Sequence, residues 1–574
     1  MHSRLQHILL GALAGLFFWA LQEGGFATGL LGARGIFTLA IAGTVFFGTG
    51  LAMLGEIGAR KAGLAAVLIA IPATLLGWWQ AGGLVFGETL MGQMDFSMLA
   101  LFVLATVPMP FAMVVAQQGL TRWADYPALF THAWNIVVRY GAAWLFLAVV
   151  WLLLYLSSQL LESVGIDLLR QIFRLDWLAL GLSGAVLGLG LAVVTELEEM
   201  ISPFLLLRLL RLLLPVVMVV VVLFLLGLVL NSGAIDAVGF SHATTLIAIS
   251  LAAILLVSVA VEREDFEAVV APILRLSTLG LALILPLLAA VSAWSAWRSI
   301  SDLGWTPARV AQSVLIVLIA GYGIGYAVAV LRGRNWMARV RRVNIAMAVA
   351  LLAMAVAWLT PLIDANRIAT KSQIARYEAG AIRPADLPLY EMAQNWGKAG
   401  QNGIATLRTR ASGDPALARA LSSVATLNGA AQPDVGAAQL ADLRALIALP
   451  PGAPAIPEAL LQAIANDNGW PQSALCAPGT QAQPSCALVM ADLRPDLPGN
   501  EAILVRDDGS YAPVRFYYLM KDHWVDGGAL RAISGKNGTM GAVIAAIAQG
   551  QFQIVPSGIS ALQAGGKTLV PQLR

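Results

Sequence analysis

The sequence has few charged residues and few of the side chains that usually carry chemistry. Charged residues make up 12% of the 574 positions, against about 25% in soluble domains. The net charge is only +3 and no block of Lys and Arg stands out, so we expect no binding to nucleic acid. With 58% hydrophobic residues, this composition excludes an ordinary soluble protein and indicates a membrane protein.

Familiar catalytic and cofactor motifs are missing as well. The five histidines form no H-E-x-x-H pair, and no G-x-S-x-G, Walker A loop or G-x-G-x-x-G after a strand occurs. Two cysteines without a neighbouring histidine are too few ligands for zinc. We therefore expect no catalytic residues, no cofactor and no metal. Enzymatic activity stays open, but the sequence weighs against it.

Apolar stretches are what the chain has in abundance. Eleven of them, each close to the roughly 20 residues that cross a bilayer, come before residue 364. They predict an all-α polytopic membrane bundle over residues 1–363, with a kink at Pro108 and Pro110 in the fourth span. No clear cleavage site follows the first stretch, so we expect an uncleaved helix. The predicted spans are 5–21, 36–54, 62–81, 98–117, 136–156, 177–195, 205–230, 243–261, 273–297, 308–331 and 343–363.

The basic residues are distributed unequally between the two sets of loops. With the N-terminus inside, 14 Lys and Arg lie on the inner side and 5 on the outer side of residues 1–363. Because cytoplasmic loops are enriched in these residues, the N-terminus is predicted to be cytoplasmic. An odd number of spans then places the C-terminus in the periplasm of a Gram-negative cell. We expect a multi-pass inner-membrane protein in contact with the lipid bilayer; protein partners and the oligomeric state stay open.

The polar C-terminal part predicts a soluble α+β domain. Residues 364–470 have the pattern of a helical periplasmic segment, interrupted by Pro and Gly. Residues 471–574 predict a small α+β module with an antiparallel sheet. Its predicted elements are strands at 486–493, 501–507, 514–520 and 523–530, a helix at 540–549 and a strand at 551–555.

Both cysteines, Cys476 and Cys486, lie in this C-terminal part. In an oxidising compartment their spacing favours a structural disulfide that closes a short loop. The stretch at 492–501 is similar to acidic calcium loops, with Asp492, Asp496 and Glu501 as candidate ligands. A plain β-turn is the favoured interpretation of that stretch.

Glu196 and Glu199 are the candidate binding residues of the membrane part. Their spacing of three places them on one face at the end of the sixth span, where they could hold a cation or a proton. Solvated loop charge is nevertheless the favoured interpretation, both for this pair and for the acidic group at 262–267. His132 and Arg139, at the start of the fifth span, are expected near lipid headgroups.

Trp305 is a further candidate, in the turn Gly-Trp-Thr-Pro at 304–307. Pro307 suits the first turn of a helix, and Thr306 is placed to cap it. An interfacial turn with an aromatic belt is favoured over a substrate-gating loop. Small residues spaced four apart predict close helix packing at three pairs, Gly11 with Gly15, Gly184 with Gly188, and Gly321 with Gly325.

Three segments carry a family resemblance. They are HAWNIVVRYGAAWLFLAVVWLLLYLSSQLLESVGIDLLRQIFRLDWL from His132, SAWRSISDLGWTPARV from Ser295, and GYGIGYAVAVL from Gly321. Over roughly residues 130–410 the chain resembles the bacterial membrane-protein family known as domain of unknown function 4153. Leu303 stands where that family has an aromatic residue. The resemblance implies a multi-spanning inner-membrane protein, and it brings no established activity and no catalytic residues.

Three functions are compatible with these features. The first is a non-enzymatic envelope protein that displays a periplasmic interaction or sensing domain. The second is a transporter or channel with a polar path near Glu196 and Glu199. The third is a membrane-embedded enzyme acting on lipid or envelope precursors.

Overall fold

The described residues form two compact units. A computed structural model of the chain describes residues 2–27, 32–85, 90–163, 175–196, 203–230, 240–264, 268, 271–425, 437–465, 476, 484–493, 499–506, 514–520, 523–534, 540–555, 561–564 and 567–571. The first unit holds Met1–Glu378 and Glu391–Gly403, and the second holds Ala379–Tyr390 and Ile404–Arg574.

The first unit is a bundle of α-helices. Within the described residues, eleven helical segments are long and apolar enough to cross a membrane, and each coincides with one predicted span. The predicted polytopic bundle is therefore confirmed. The helices are α1 (His2–Ala27), α2 (Ala33–Ile57), α3 (Ala59–Ala81), α4 (Leu90–Thr106), α5 (Pro108–Gln118), α6 (Tyr126–Ser163), α7 (Asp176–Glu196), α8 (Pro203–Leu230), α9 (Phe240–Val261), α10 (Pro272–Leu303), α11 (Pro307–Leu331), α12 (Trp336–Leu359) and α13 (Ala365–Glu378).

Prolines and charges set the ends of two spans. The fourth span is broken between α4 and α5, because Pro108 has no N–H to donate to the turn before it. The last span begins at Trp336 and ends at Leu359, not at the predicted 343 and 363. The helix begins earlier than predicted because its first turns carry arginines, which a search for apolar residues excludes. It ends earlier because Pro361 starts a separate 3-10 turn.

Helices α1 and α7 pack at the small residues that the sequence singles out. A β-carbon added to Gly11 would overlap the backbone of Gly184, and one added to Gly188 would overlap the backbone of His7. Glycine is required there because only its bare backbone lets two helices approach this closely. In α11, Gly321 and Gly325 lie against side chains of α12. The predicted role of these glycines in close packing is confirmed.

The bundle has two main hydrophobic cores. One joins α2 and α3 to α4 and α5, and it includes the start of α11 and the end of α12. The other is formed by α8 to α12. Helix α6 has 38 residues, about 57 Å at 1.5 Å per residue, which exceeds the roughly 30 Å of hydrocarbon. Its first half contacts both groups of helices, through α5 on one face and Leu207 of α8 on another.

After α13 the chain forms shorter helices and a sheet. The sheet has eight strands in the order β1-β2-β3-β4-β5-β8-β7-β6. The helices are α14 (Leu389–Gln394), α15 (Gly397–Arg410), α16 (Pro415–Ala425), α17 (Ala437–Leu446), α18 (Glu458–Ala465) and α19 (Met540–Ala548); the strands are β1 (Ile447–Ala448), β2 (Cys486–Ala491), β3 (Glu501–Arg506), β4 (Val514–Met520), β5 (His523–Ser534), β6 (Phe552–Val555), β7 (Ala561–Ala564) and β8 (Lys567–Pro571).

The predicted strands and the predicted helix of this module are all present. The sheet is mixed rather than purely antiparallel, because the short β1 pairs in parallel with β2. Strands β2 and β3 are apolar at almost every position, since α17 and α18 cover one face and α19 the other. The chain is thus an α-helical membrane bundle followed by an α+β domain, as the sequence predicts. Strands β1, β7 and β8 were not predicted, and β1 lies where the sequence favours a helix.

Candidate functional site

The bundle buries an ionised cluster that joins α2, α5 and α6. His132 Nδ1 contacts one carboxylate oxygen of Glu56, and Arg139 Nη1 lies 2.7 Å from the other. Asn135 also hydrogen-bonds to this carboxylate. On the far side of the imidazole, His132 Nε2 is 3.2 Å from Gln117 Oε1. We call these five residues the Glu56 cluster.

Helical spacing explains how the cluster forms. His132, Asn135 and Arg139 are separated by three and four residues, so α6 presents them on one face. Glu56 is the penultimate residue of α2, and Gln117 is the penultimate residue of α5. Two helix ends therefore bring a carboxylate and an amide to the polar face of a third helix.

The Glu56 cluster is well shielded from solvent. The exposed fractions of the Glu56, His132 and Arg139 side chains are 10%, 11% and 6%. Withdrawing a carboxylate from water costs several kcal/mol, which an opposite charge and further hydrogen bonds must offset. Because ionisable groups inside a membrane bundle are costly, they mark functional positions by default.

A second buried ion pair lies among α8, α9 and α12. Glu262 directly follows α9, and its carboxylate pairs with Arg211 of α8. Arg341 of α12 donates to the carbonyl oxygens of Glu262 and Val261, at 3.0 and 2.8 Å. The φ angle of Glu262 is +49°, which is uncommon outside glycine. These three charged residues form the Glu262 cluster.

A chain of polar contacts continues from this region to α6. Tyr326 of α11 donates to Asn344 Oδ1, and Asn344 Nδ2 donates to the Tyr126 hydroxyl at 2.9 Å. Ser258 Oγ of α9 lies 3.0 Å from the Tyr326 hydroxyl. The first half of α6 therefore holds Tyr126 against the second helix group and His132 against the first.

At the other end of the bundle, α13 holds the turn between α10 and α11. Trp305 N donates to Ser372 Oγ at 3.1 Å, while Gln373 Nε2 donates to the carbonyls of Leu303 and Trp305 at 3.1 and 2.9 Å. Arg376 donates to the last carbonyls of α10, at Ser301 and Asp302. The turn containing Trp305 is thus fixed by a neighbouring helix.

The same turn is reinforced from within. Arg309 donates to the Gly304 carbonyl at 2.8 Å and to Ser299 Oγ at 3.1 Å. Thr306 Oγ1 accepts a hydrogen bond from Arg309 N, which confirms the predicted cap. Trp305 is half-buried and packs against the first hydrophobic core.

Helix α3 relates these sites to one another. The Glu56 cluster lies beside the start of α3, whereas Gly82 and Gly83 follow its end. Lys398 donates to both glycine carbonyls, through Nζ at 2.7 Å and its backbone N at 2.9 Å. Residues 391–403 and the Glu56 cluster therefore lie at opposite ends of one membrane-length helix.

Of the predicted candidate pair Glu196 and Glu199, the structure describes only Glu196. Glu196 ends α7 and is largely exposed, and its carboxylate accepts from Arg4 Nε at 2.6 and 2.8 Å. Glu199 lies outside the described residues, as do Asp265 and Glu267. Glu264 is exposed, in agreement with a solvated loop charge.

One expectation about charged residues is wrong. Glu262 is only 4% exposed and is not a solvated loop charge. His132 and Arg139 are buried against Glu56 at the end of α2, and their position near lipid headgroups stays a prediction. Glu56 was missed altogether because its partners are 76 and 83 positions further along the chain. A signal was nevertheless present, since α6 carries polar residues at helical spacing inside an apolar stretch.

In the α+β domain, Cys476 and Cys486 are joined, with sulfur atoms 1.98 Å apart and both residues buried. The candidate calcium ligands do not converge as far as they are described. Glu501 is buried and accepts from Leu493 N at 2.7 Å, while Asp492 is exposed and Asp496 is outside the described residues. No group of three or more metal-binding side chains occurs in the described part of the chain.

These features define a polytopic α-helical membrane protein that carries an α+β domain and buries ionised side chains in its bundle. Comparisons of the chain with models of protein families, with curated proteins and with solved structures found no match.

Proposed function

We propose that this is a non-enzymatic protein of the bacterial inner membrane that displays its C-terminal α+β domain in the periplasm. There the domain binds a protein or a ligand of the cell envelope. The proposal combines the membrane bundle with the side on which the chain leaves it.

The contact of Lys398 with Gly82 and Gly83 is the observation that carries the proposal. It holds residues 391–403, which belong to the first unit, at the end of the bundle opposite the Glu56 cluster. The arginine-rich turn after α11 lies at the same end of the bundle as the Glu56 cluster. Helix α11 begins at the opposite end, in the turn held by α13, and crosses the bundle from there. Since arginine-rich loops are cytoplasmic, the opposite end faces the periplasm. The cysteine pair in this domain agrees with an oxidising compartment.

Partner capture tests the proposed display function. The full chain and a chain ending at Gly403, the limit of the first unit, are purified in mild detergent. We expect a periplasmic protein or envelope ligand to accompany the full chain and to be absent from the shortened one. Identical companions in both preparations would contradict a binding role of the C-terminal domain.

A transporter or channel is the second candidate, favoured by the Glu56 cluster. Buried ionisable residues in membrane bundles often lie on ion and proton paths. This moves the candidate path from Glu196 and Glu199 to Glu56, His132 and Arg139. Proteoliposomes with an imposed pH gradient test it. Dissipation by the wild type, and not by a Glu56→Gln variant with the circular dichroism spectrum of the wild type, would support transport; equal behaviour of the two would contradict it.

We further propose membership of the family known as domain of unknown function 4153. The segments beginning at His132, Ser295 and Gly321 support it. An alignment of that family offers a direct test, because residues equivalent to His132 and Arg139 should face an acidic residue at the end of the second span. A family alignment without such an acid would contradict the assignment.

A further inference from the structure

We propose that His132, held between Glu56 and Gln117, is a proton-binding site within the membrane bundle. This goes beyond the proposed display function, because it concerns the membrane part alone and holds wherever the C-terminal domain lies. The ligand is a proton from the aqueous phase next to the end of α2.

The two ring nitrogens of His132 have different partners, and this is the first step of the argument. A carboxylate only accepts hydrogen bonds, so Nδ1 carries a hydrogen toward Glu56 in both charge states of the ring. Nε2 faces the side-chain amide of Gln117, which has an oxygen acceptor and a nitrogen donor. The protonation state of Nε2 is therefore the variable one.

A half-turn of the Gln117 amide satisfies either state. When Nε2 is protonated it donates to Oε1, which is the amide atom 3.2 Å from it. When Nε2 is unprotonated, the turned amide donates its N–H to the ring instead. If the neighbour of Nε2 could only accept or only donate, the ring nitrogen would lack a partner in one of the two states. A buried polar group without a partner costs about 1–3 kcal/mol.

The surrounding charges make proton uptake feasible. Glu56 offers one oxygen to His132 and the other to Arg139, so both cations can share one carboxylate. Lys61 of α3 is the next cation, and its Nζ is bound to the Ala116 carbonyl beside Gln117. Asn135, which is neutral, is a further partner of this carboxylate. His7 of α1, a second buried histidine, lies beside Gly55.

The opposite face of α6 and the exposed loops add only distant or paired charges. Tyr126 bonds to Asn344, and Glu262 is paired with Arg211. Arg60 and Arg122 are exposed at the same end of the bundle. About a tenth of the Glu56 and His132 side chains is exposed, at the end of α2.

The ion pair of Glu262 with Arg211 is a natural contrast. A guanidinium stays protonated at all physiological pH values, so the cation of that pair does not gain or lose a proton. A histidine is the side chain whose charge changes between pH 5 and 8. Of the two buried clusters, only the one with His132 is built to exchange protons.

The test uses the full chain in detergent, labelled with nitrogen-15 in its histidine rings, and follows ring protonation by NMR from pH 5 to 8. Gln117→Met removes the amide while keeping a side chain of similar length. Among the signals of the five histidines, that of His132 should titrate in the wild type. In Gln117→Met its midpoint should move to lower pH by about a tenfold loss of proton affinity, because the lost hydrogen bond is stronger to the charged ring than to the neutral one. That factor equals about 1.4 kcal/mol, near the lower end for a hydrogen bond to a charged group.

Glu196→Gln is the matched control, since it removes a carboxylate that is exposed and bound to Arg4. It should leave the midpoint unchanged. The proposal is overturned if the ring signal that Gln117→Met perturbs keeps one protonation state throughout pH 5 to 8, or if its midpoint does not move. Both readings require only that Gln117→Met folds, and a circular dichroism spectrum like that of the wild type verifies this. If Gln117→Met does not fold, His132→Asn replaces it, and a full set of titrating ring signals in that variant would equally overturn the proposal.

Discussion

Gly11 of α1 and Gly184 of α7 face each other so closely that a β-carbon on either would overlap the backbone carbonyl oxygen of the other. The contact repeats one turn further along, where Gly15 lies against Leu180 and Gly188 against His7. Two pairs of glycines, each spaced by four residues, thus fix the relative position of these helices. In lipid, where apolar side chains gain little from associating, such close packing is a main source of helix association.

Replacing Gly11 by leucine should therefore separate α1 from α7. We expect a loss of at least 1–3 kcal/mol, about the usual cost of overpacking, because the neighbouring atoms are backbone and cannot turn away. Thermal unfolding of the detergent-purified protein measures it. Gly141→Leu is the control, since nothing lies within 4 Å of a β-carbon at Gly141. Equal melting temperatures for the two variants would contradict the packing argument.

Glu56→Gln should destabilise the bundle far more than Glu196→Gln. Removing one partner of a buried ion pair costs about 3–5 kcal/mol, since the remaining charges lose their compensation. Glu196 is exposed at a helix end, where water replaces the contact with Arg4, so folding and insertion should be intact. Expression level and melting temperature of the two variants decide between these outcomes. A Glu56→Gln variant as stable as the wild type, or a strongly destabilised Glu196→Gln variant, would contradict the claim that Glu56 is the carboxylate that stabilises the bundle.

Gln373→Met should loosen the turn between α10 and α11. The amide of Gln373 is the donor to the Leu303 and Trp305 carbonyls, and its residue is only 1% exposed. Leaving a buried carbonyl unsatisfied costs about 1–3 kcal/mol, and these two carbonyls are part-buried, so we expect a cost toward the lower end of that range. Hydrogen exchange of the peptide that contains residues 301–309 should accelerate in this variant. Lys371→Met, at an exposed position of α13, should leave the exchange rate unchanged; the same rate in both variants would contradict the role of Gln373.

The bond between Cys476 and Cys486 should be present in cells and stabilise the α+β domain. The cysteines are 10 positions apart, and closing a loop of that size contributes about 2–3 kcal/mol. In the denatured, unreduced protein a thiol-reactive mass tag should not label either residue until reductant is added. Two labelled thiols without reductant would argue against both the bond and an oxidising compartment. A Cys476→Ala, Cys486→Ala variant should be digested faster by protease within residues 404–574.

Local patterns predicted those parts of the fold that local physics determines. The eleven spans follow from apolar length, the cap at Thr306 from a short side chain before a proline, and the α1–α7 contact from glycine spacing. The strands from Cys486 to His523 follow from β-branched and aromatic runs between turns. Strands β7 and β8 are short and carry Ala, Gln and Lys, so their pattern is too weak to predict them.

The Glu56 cluster could not be predicted in the same way. Its residues come from three helices, and nothing local to Glu56 indicates that α6 will bring His132 and Arg139 to it. Glu262 has the same difficulty, because an acid just after a helix is usually solvated, and only the packing of α8 reveals Arg211 beside it. Burial of charge depends on tertiary contacts, which a composition or a spacing does not contain.

The side of the membrane on which the C-terminal domain lies is the central claim, and paired reporter fusions test it most directly. Alkaline phosphatase is active only in the periplasm. Green fluorescent protein does not fluoresce when it is exported by the general secretion pathway, so a fluorescent fusion reports the cytoplasm. Fused after Arg574, phosphatase should be active and the fluorescent protein dark. Fused after Arg334, in the turn between α11 and α12, the fluorescent protein should be bright and phosphatase inactive. The reverse pattern at the two positions would contradict the topology and with it the proposed function.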